Sequence, residues 1–251
     1  GVTDQLIKAA ESASQKDENY TKIIKNLEEK HLNVVKELIP VLEQSSWLSF
    51  VKKHFNDIED ICNGIFVLGE FTNRIKDKIT SYGEFLSSHI IAAKLKFGGV
   101  DVHWMNSSEQ ILTNSNFTNA KVNFERTEQN FRKYINENQH QIIIAPGFIA
   151  QDEKGNPTTL GRGGFDFTAS IIASAIHAEE LQIWTDVSGM MTADPRLASH
   201  AKPSAAISYQ VATELSDLGA KSLYPSTIKP VRVKNIKLKI KKTFDSEAVC
   251  T

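Results

Sequence analysis

The sequence predicts an α/β fold, and three observations carry the prediction. At 251 residues the chain is long enough to bury a full core in one domain of this class. Stretches with apolar residues at helical spacing alternate with short apolar runs such as Gln141 to Ala145, whose closing Pro146-Gly147 suits a buried parallel strand. Finally, Thr158 to Arg196 joins a glycine-rich loop to an amphipathic helix, then to a strand ending in Thr185 and Asp186, then to a loop closing at Asp194, Pro195 and Arg196. Such a series builds anion pockets in α/β proteins: glycines let the backbone approach the ligand, and the next helix points free N–H groups at it.

Taken in order, Gly1 to Ala13 reads as a helix with Thr3 or Asp4 as its cap. Lys16 to Asn19 is a polar break. From Tyr20 to Leu42, Ile23, Ile24, Leu27, Val34, Val35 and Leu38 recur at helical spacing, and Pro40 marks the end or a kink. A second stripe runs from Trp47 to Phe66. In Asn73 to Lys94, Ile79, Phe85, Leu86, Ile90 and Ala93 form an apolar face, while Ser81, Glu84 and Ser88 share a polar one suited to a cleft. Lys96-Phe97-Gly98-Gly99 follows a helix and precedes a strand, Val100 to Met105, so it reads as a helix C-cap rather than a phosphate loop.

Asn106 to Asn123, rich in Asn, Ser and Thr, reads as an exposed excursion or ribbon. Phe124 to Ile135 is helical, and Phe148 to Pro157 turns around Glu153-Lys154-Gly155-Asn156. Beyond the central stretch, Ser208 to Leu218 is a helix stopped by Gly219, and Pro225 opens another that runs to about Lys234. Ile236, Leu238 and Ile240 then alternate with Lys237, Lys239 and Lys241 in a half-buried strand whose lysines discourage edge pairing.

Charge and composition narrow the function classes. Lysine and arginine number 29 against 30 aspartates and glutamates, so no field draws nucleic acid or an anionic membrane, and neither is expected as a partner. Cys62 and Cys250 stand far apart, which suits a reducing compartment and leaves a single disulfide as the alternative, and cytoplasm is the default expectation. No apolar run approaches a membrane span. Seven scattered histidines lack ligand spacing, so no protein metal site is expected. What remains is anion chemistry. Gly163 and Gly164 present backbone donors, Arg162 offers a planar fork for a carboxylate or phosphate, and Lys221 adds a second positive charge. Asp166 and Asp186 are placed to orient donors or to attract a phosphate-bound magnesium ion. Each has a plainer role: Asp166 as a helix cap, Arg196 as a surface partner of Asp194, Lys221 as a counter to a helix dipole.

Three segments then resemble the aspartokinases of the amino-acid kinase superfamily. They are Leu160-Gly161-Arg162-Gly163-Gly164-Phe165-Asp166-Phe167-Thr168-Ala169, Ile183-Trp184-Thr185-Asp186-Val187 through Thr192-Ala193-Asp194-Pro195-Arg196, and Gly219-Ala220-Lys221-Ser222-Leu223-Tyr224-Pro225. The resemblance extends to Gly1-Val2-Thr3, Tyr82-Gly83-Glu84, Pro146-Gly147-Phe148 and Asn235 to Thr251, and the helices of residues 20 to 70 look most like the kinase half of bifunctional aspartokinase/homoserine dehydrogenases. It implies a three-layer α/β/α sandwich with a mostly parallel sheet, and ATP-dependent phosphorylation of the β-carboxylate of L-aspartate. Thr3, Glu84 and Arg162 would hold aspartate, with Glu84 on its ammonium. Arg162 and Asp166 would serve catalysis. Gly163, Gly164, Thr185, Asp186, Met191, Arg196, Lys221 and Ser222 would line the nucleotide site, with Mg2+ carried on the phosphates. A homo-oligomer is implied for the full-length protein.

The chain also departs from the family pattern. The family opens on a strand with K-F-G-G-T-S, expected before Gly1, so residues 1–251 read as a catalytic domain without that strand, with regulatory and dehydrogenase regions outside it. Phe165 stands where the family has serine, Met191 where it has tyrosine, and Tyr224 where it has histidine. Binding is expected to survive these changes better than turnover. The rival reading is an inert nucleotide-binding or scaffold fragment of the same fold. A glutamate or acetylglutamate acceptor is a third, against which Thr3, Glu84 and the Thr185–Arg196 segment argue.

Overall fold

The structure is a computed structural model that describes residues 1–186, 189–190, 204–217 and 223–244. The chain forms two compact units, residues 1–122 with 139–159, and residues 123–138 with those from 160 onward.

Four long helices build most of the first unit: α1 (Val2–Ser14), α2 (Asn19–Leu38), α3 (Gln44–Leu68) and α4 (Asn73–Phe97). Their apolar stripes meet in one core that includes Leu6, Leu27, Val35, Phe55, Ile58, Ile79 and Leu86. Each fully buried side chain of this size stabilises the fold by roughly 1.5–3 kcal/mol. The helix ends follow from local chemistry. α2 stops at Leu38, short of Pro40, and the Gln44 amide donates to the Lys36 and Ile39 carbonyls at 3.0 and 2.9 Å. α3 stops where Gly69 turns left-handed and its N–H bonds Ile65 O at 2.7 Å. The Lys16 ammonium donates to the carbonyls of Phe66 and Val67 there, which also offsets the negative helix end. α1 begins before Thr3, so Thr3 and Asp4 lie in its first turn instead of capping it. As expected, Lys96 to Gly99 closes α4, an end that offers carbonyls and no anion-binding N–H groups.

The strands of this unit form two small sheets. β1 (Val102–Trp104) pairs in parallel with β3 (Ile142–Ile144). β2 (Leu112–Thr113) pairs in parallel with β4 (Ile149–Asp152), which turns back on β5 (Pro157–Thr159) as an antiparallel hairpin. Asp152 holds the turn. Its carboxylate is 2% exposed and accepts from Ser115 Oγ and from the backbone of Lys154 and Asn156, and these donors outweigh burial to keep its pKa low.

Two expectations need correction. Asn106 to Asn123 is not simply exposed: it holds the short helix α5 (Ser107–Gln110) and β2, with Ser107, Ile111, Thr113 and Ala120 buried. Its hydroxyls enter the interior because each finds a partner, Ser107 on Pro146 O and Thr113 on the Thr158 hydroxyl at 2.7 Å. Conversely, β3 is parallel as expected yet not fully buried, since Ile142 is 38% exposed.

In the second unit, α6 (Phe124–Glu137), α7 (Gly164–Ala175), α8 (Tyr209–Asp217) and α9 (Pro225–Val233) accompany two parallel strands, β6 (Glu180–Thr185) and β7 (Lys237–Lys242). The six-residue register runs from Glu180 opposite Lys237 to Thr185 opposite Lys242. Leu181, Ile183 and Ile240 face a core with Ala173, Ala212, Ile228 and Val231. On the other face, Lys239 and Lys237 reach Glu180 at 2.8 and 3.7 Å, and Lys241 stands 4.8 Å over the Trp184 ring. Gly219, the expected stop of α8, lies outside the described residues.

Candidate active site

In the second unit, chain geometry brings the start of α7 and the end of β6 to one end. α7 has 12 residues and β6 has 6, lengths of about 18 and 20 Å at the standard rises. Residues 176–179 join them in a tight reversal, so the start of α7 and the end of β6 lie level. β7 runs parallel to β6, and α9 packs along α7. Ligands of open α/β sheets bind at this carboxyl end of the strands.

The loop before α7 has the backbone the sequence requires. Gly161 and Gly163 have φ of 74° and 72°, in the left-handed region that favours glycine. Gly164 N–H turns back to Gly161 O at 3.1 Å, and Phe167 N–H takes Gly163 O at 3.0 Å. The N–H groups of Arg162, Gly163 and Asp166 have no backbone acceptor among the described residues. Arg162 is exposed. Asp166 does not cap the helix, a place Gly163 takes; it lies in the first turn, where burial pushes its carboxyl up. Phe165 is 51% exposed. At the end of β6, the Thr185 hydroxyl donates to Asp186 at 3.0 Å, and the Thr185 carbonyl accepts from Thr243 N–H and Oγ1 at 2.8 and 3.0 Å. Asp186 itself is exposed. Met191, Arg196, Lys221 and Ser222 lie outside the described residues.

The first unit carries Thr3 and Glu84. A Cβ on Gly83 would sit 3.4 Å from Val2 Cγ1 and 3.7 Å from Leu6 Cδ1, so this glycine lets the first turn of α1 close on α4. Thr3 follows Val2 and Glu84 follows Gly83, so each lies next in sequence to a residue of this helix contact. Glu84 is half-buried, with no ion-pair or hydrogen-bond partner for its carboxylate among the described residues, and burial pushes it up to about 7. The polar stripe shrinks to this residue: Ser81 Oγ donates to Lys78 O, and Ser88 accepts the Trp104 indole N–H at 2.9 Å.

Sequence patterns leave two contributors unmarked. Asp77 is 1% exposed on α4 and accepts from Thr118 N–H, Thr159 N–H and Thr159 Oγ1 at 2.8, 3.0 and 2.7 Å, fixing the residue two before Gly161. Tyr224 lays its ring on Gly163. The only available signals were an acid within a helical stripe and a departure from a family motif. A cavity of about 470 Å³ lined by Met190, Ile207, Ala212, Leu223, Leu238 and Ile240 runs along the first part of β7, away from Thr185 and Asp186.

Comparison with known proteins gives this arrangement a lineage. The chain is 34% identical over 248 residues to a chloroplastic bifunctional aspartokinase/homoserine dehydrogenase 1 of Arabidopsis thaliana, covering 98% of this chain and 27% of that protein. It is 31% identical over 241 residues to lysine-sensitive aspartokinase 3 of Escherichia coli, covering 92% of this chain and 50% of that one. It therefore spans between about a quarter and a half of these curated relatives. The crystal structure of E. coli aspartokinase III in complex with aspartate and ADP superposes with a TM-score of 0.88 at 26% identity, over 98% of this chain and 54% of that one. The expected α/β class with mostly parallel strands is thus the class of the solved relatives. With residues 1–242 also matching the amino acid kinase family as a whole, the chain belongs to that family.

Proposed function

We propose that this chain is the kinase domain of an aspartokinase and transfers the γ-phosphoryl group of ATP to the β-carboxylate of L-aspartate. The observation that carries the reading is Glu84, a half-buried carboxylate with no cation partner among the described residues, on the helix that the first turn of α1 packs against, in a chain whose relatives are named aspartokinases. The α-ammonium of an amino acid supplies the missing charge. Thr3 and Arg162 are assigned to the rest of the substrate, with Arg162 on a carboxylate. Gly163, Gly164, Thr185, Asp186, Met191, Arg196, Lys221 and Ser222 are assigned to the nucleotide. Arg162 and Asp166 are assigned to catalysis, as the residues that would answer the charge developing during transfer.

The reaction needs no protein nucleophile. An ionised β-carboxylate oxygen attacks the γ-phosphorus, the new O–P bond forms as the bond to the bridging oxygen breaks, and ADP leaves with the electron pair. No proton moves. The protein positions the reactants and neutralises charge with backbone donors and cations. Magnesium would be held through the phosphates, with Asp166 and Asp186 as oxygen donors of the suitable kind. When bound, that ion supplies further neutralisation of phosphate charge. The setting expected for the longer protein is a homo-oligomer in a reducing cytoplasm. Among the described residues no helix is long and apolar enough to cross a membrane.

A second reading, an inert chain of the same fold, is favoured by Phe165, a half-exposed residue in the first turn of α7, directly after the glycine loop. Hydroxylamine trapping of aspartyl phosphate with magnesium-ATP tests the first reading, with N-acetyl-L-aspartate as the control that lacks an ammonium. Hydroxamate is expected from L-aspartate alone. Equal product from the acetylated acid would refute the role given to Glu84, and no nucleotide binding at millimolar magnesium-ATP would favour the inert reading.

A further inference from the structure

The starts of α7 and α9 meet at one pair of residues. A Cβ on Gly163 would lie 2.1 Å from Cδ2 and 2.6 Å from Cγ of Tyr224, so the aromatic ring fills the space a side chain would need. Gly163 is therefore constrained twice, by its φ of 72° and by the ring. The ring is held from its own side. Tyr224 is the extended N-cap of α9, Pro225 follows in the first turn, and the Tyr224 carbonyl accepts from Thr227 N–H at 2.9 Å. Ser170 Oγ of α7 donates to Thr227 O at 2.5 Å, fastening the two helices one turn further in. Tyr224 is nevertheless 39% exposed, so it is no ordinary core aromatic.

We propose that Tyr224 is a positioning residue of the glycine loop. By covering Gly163 it holds the turn from Gly161 to Gly164 in the left-handed geometry that leaves the N–H groups of Arg162, Gly163 and Asp166 for a ligand carboxylate or phosphate. A loop free to flip its peptides would lose that convergence, because each donor must be aimed before the ligand arrives. Planar bulk does this work, and the phenol hydroxyl does not. The inference rests on the reading of this loop as the anion site.

Two readouts on Tyr224→Phe, Tyr224→Ala, Gly163→Ala and the Tyr224→Ala/Gly163→Ala double variant test it. The first is amide hydrogen exchange at Gly164 and Phe167, whose N–H groups bond Gly161 O and Gly163 O, in the ligand-free chain; the second is calorimetric binding of L-aspartate and magnesium-ADP. Tyr224→Phe should match the parent in both. Tyr224→Ala should speed exchange at these two amides and weaken binding, each about tenfold, with the exchange of β6 and β7 unchanged. Gly163→Ala should do less damage in the Tyr224→Ala background than in the parent, since part of its effect is collision with the ring. Unchanged exchange in Tyr224→Ala, equal damage from Phe and Ala, or strictly additive effects in the double variant would overturn the proposal. Should Tyr224→Ala fail to fold, Tyr224→Leu takes its place in the same cycle. A parent chain that binds neither ligand sinks the functional reading alone, and the exchange data still decide the role of Tyr224.

Discussion

Asp77 on α4 accepts both the backbone N–H and the hydroxyl of Thr159, 82 residues further along, at 3.0 and 2.7 Å. With Thr118 N–H at 2.8 Å, a single buried carboxylate fixes the end of β5. Burial pushes this carboxyl up while the Thr159 and Thr118 donors pull it back. Replacing it leaves several buried donors without an acceptor, each costing about 1–3 kcal/mol. Asp77→Ala should therefore lower stability by about 3 kcal/mol, and Asp77→Asn by less, since its carbonyl keeps one acceptor. Urea denaturation followed by far-UV circular dichroism measures both; a loss under 1 kcal/mol in Asp77→Ala would contradict the role (about the net value of one ordinary bond).

If Glu84 meets the substrate ammonium as proposed, binding should depend on pH. The folded pKa of Glu84 is raised to about 7 by burial, above the 4.5 of the free side chain, so the ligand-free fold favours the neutral acid. Its contribution to stability is fully present below pH 4.5 and is lost as pH rises through about 7. An ammonium ligand needs the ionised form. Affinity for L-aspartate should rise with pH up to about 7 and then level, and binding near pH 6 should release a proton. Calorimetry in two buffers of different ionisation enthalpy reads that proton directly. Glu84→Gln should bind weakly at every pH without the rise.

The buried histidine of the helical layer acts in the opposite sense. His31 is 7% exposed between α2 and α3, its Nδ1 on Leu27 O at 2.7 Å and its ring 5.2 Å from that of Phe55. Burial lowers its pKa against the opposing pull of the Leu27 carbonyl, with Lys30 adding to the fall. The folded chain keeps it neutral, so its contribution is present above the unfolded pKa near 6.5 and is lost as pH falls through the folded value. His89, lowered mainly by burial and also by His54, adds to the same trend. Denaturant midpoints between pH 7.5 and 5.5 should fall less in His31→Leu than in the parent, about the range where histidine titrates. Running the series in a Glu84→Gln background removes the counter-trend.

Thr227 offers a stabilising change. It is fully buried, and its hydroxyl has no hydrogen-bond partner among the described residues. Thr227→Val keeps the shape and removes the unsatisfied group, so the midpoint of unfolding should rise by about 1 kcal/mol with an unchanged m-value. A drop in stability would show that the hydroxyl is satisfied in solution.

Cys62 should be inert. It is a free, fully buried thiol that burial pushes up to about 12, so almost no thiolate exists at neutral pH. In a Cys250→Ser background, thiol-specific reagents should label it only at the rate of unfolding, and prompt labelling in native buffer would refute this.

The helices of the first unit were legible because their apolar residues recur every three or four positions and two of their ends carry Pro40 and Gly98. The glycine loop was legible because positive φ leaves few residue choices. Buried hydroxyls were not: Ser107 and Thr113 look like surface residues until their partners, Pro146 and Thr158, are brought beside them from distant sequence. Asp77 and Tyr224 escaped for the same reason, since their meaning lies in residues 82 and 61 positions away (the latter 224 less 163). Glu84 was legible as polar, but only packing revealed that its charge has no local partner among the described residues.

The bond between Thr185 and Thr243 spans 58 residues, and the whole β6–β7 ladder closes a loop of similar length. Closing such a loop costs chain entropy before any strand contact repays it. The strand ends that carry Thr185 and Asp186 are thus expected to acquire their order late in folding, after the local helices. Substitutions there should chiefly quicken unfolding and leave the refolding rate nearly untouched, so the working end of this unit would be governed by how long it lasts once made.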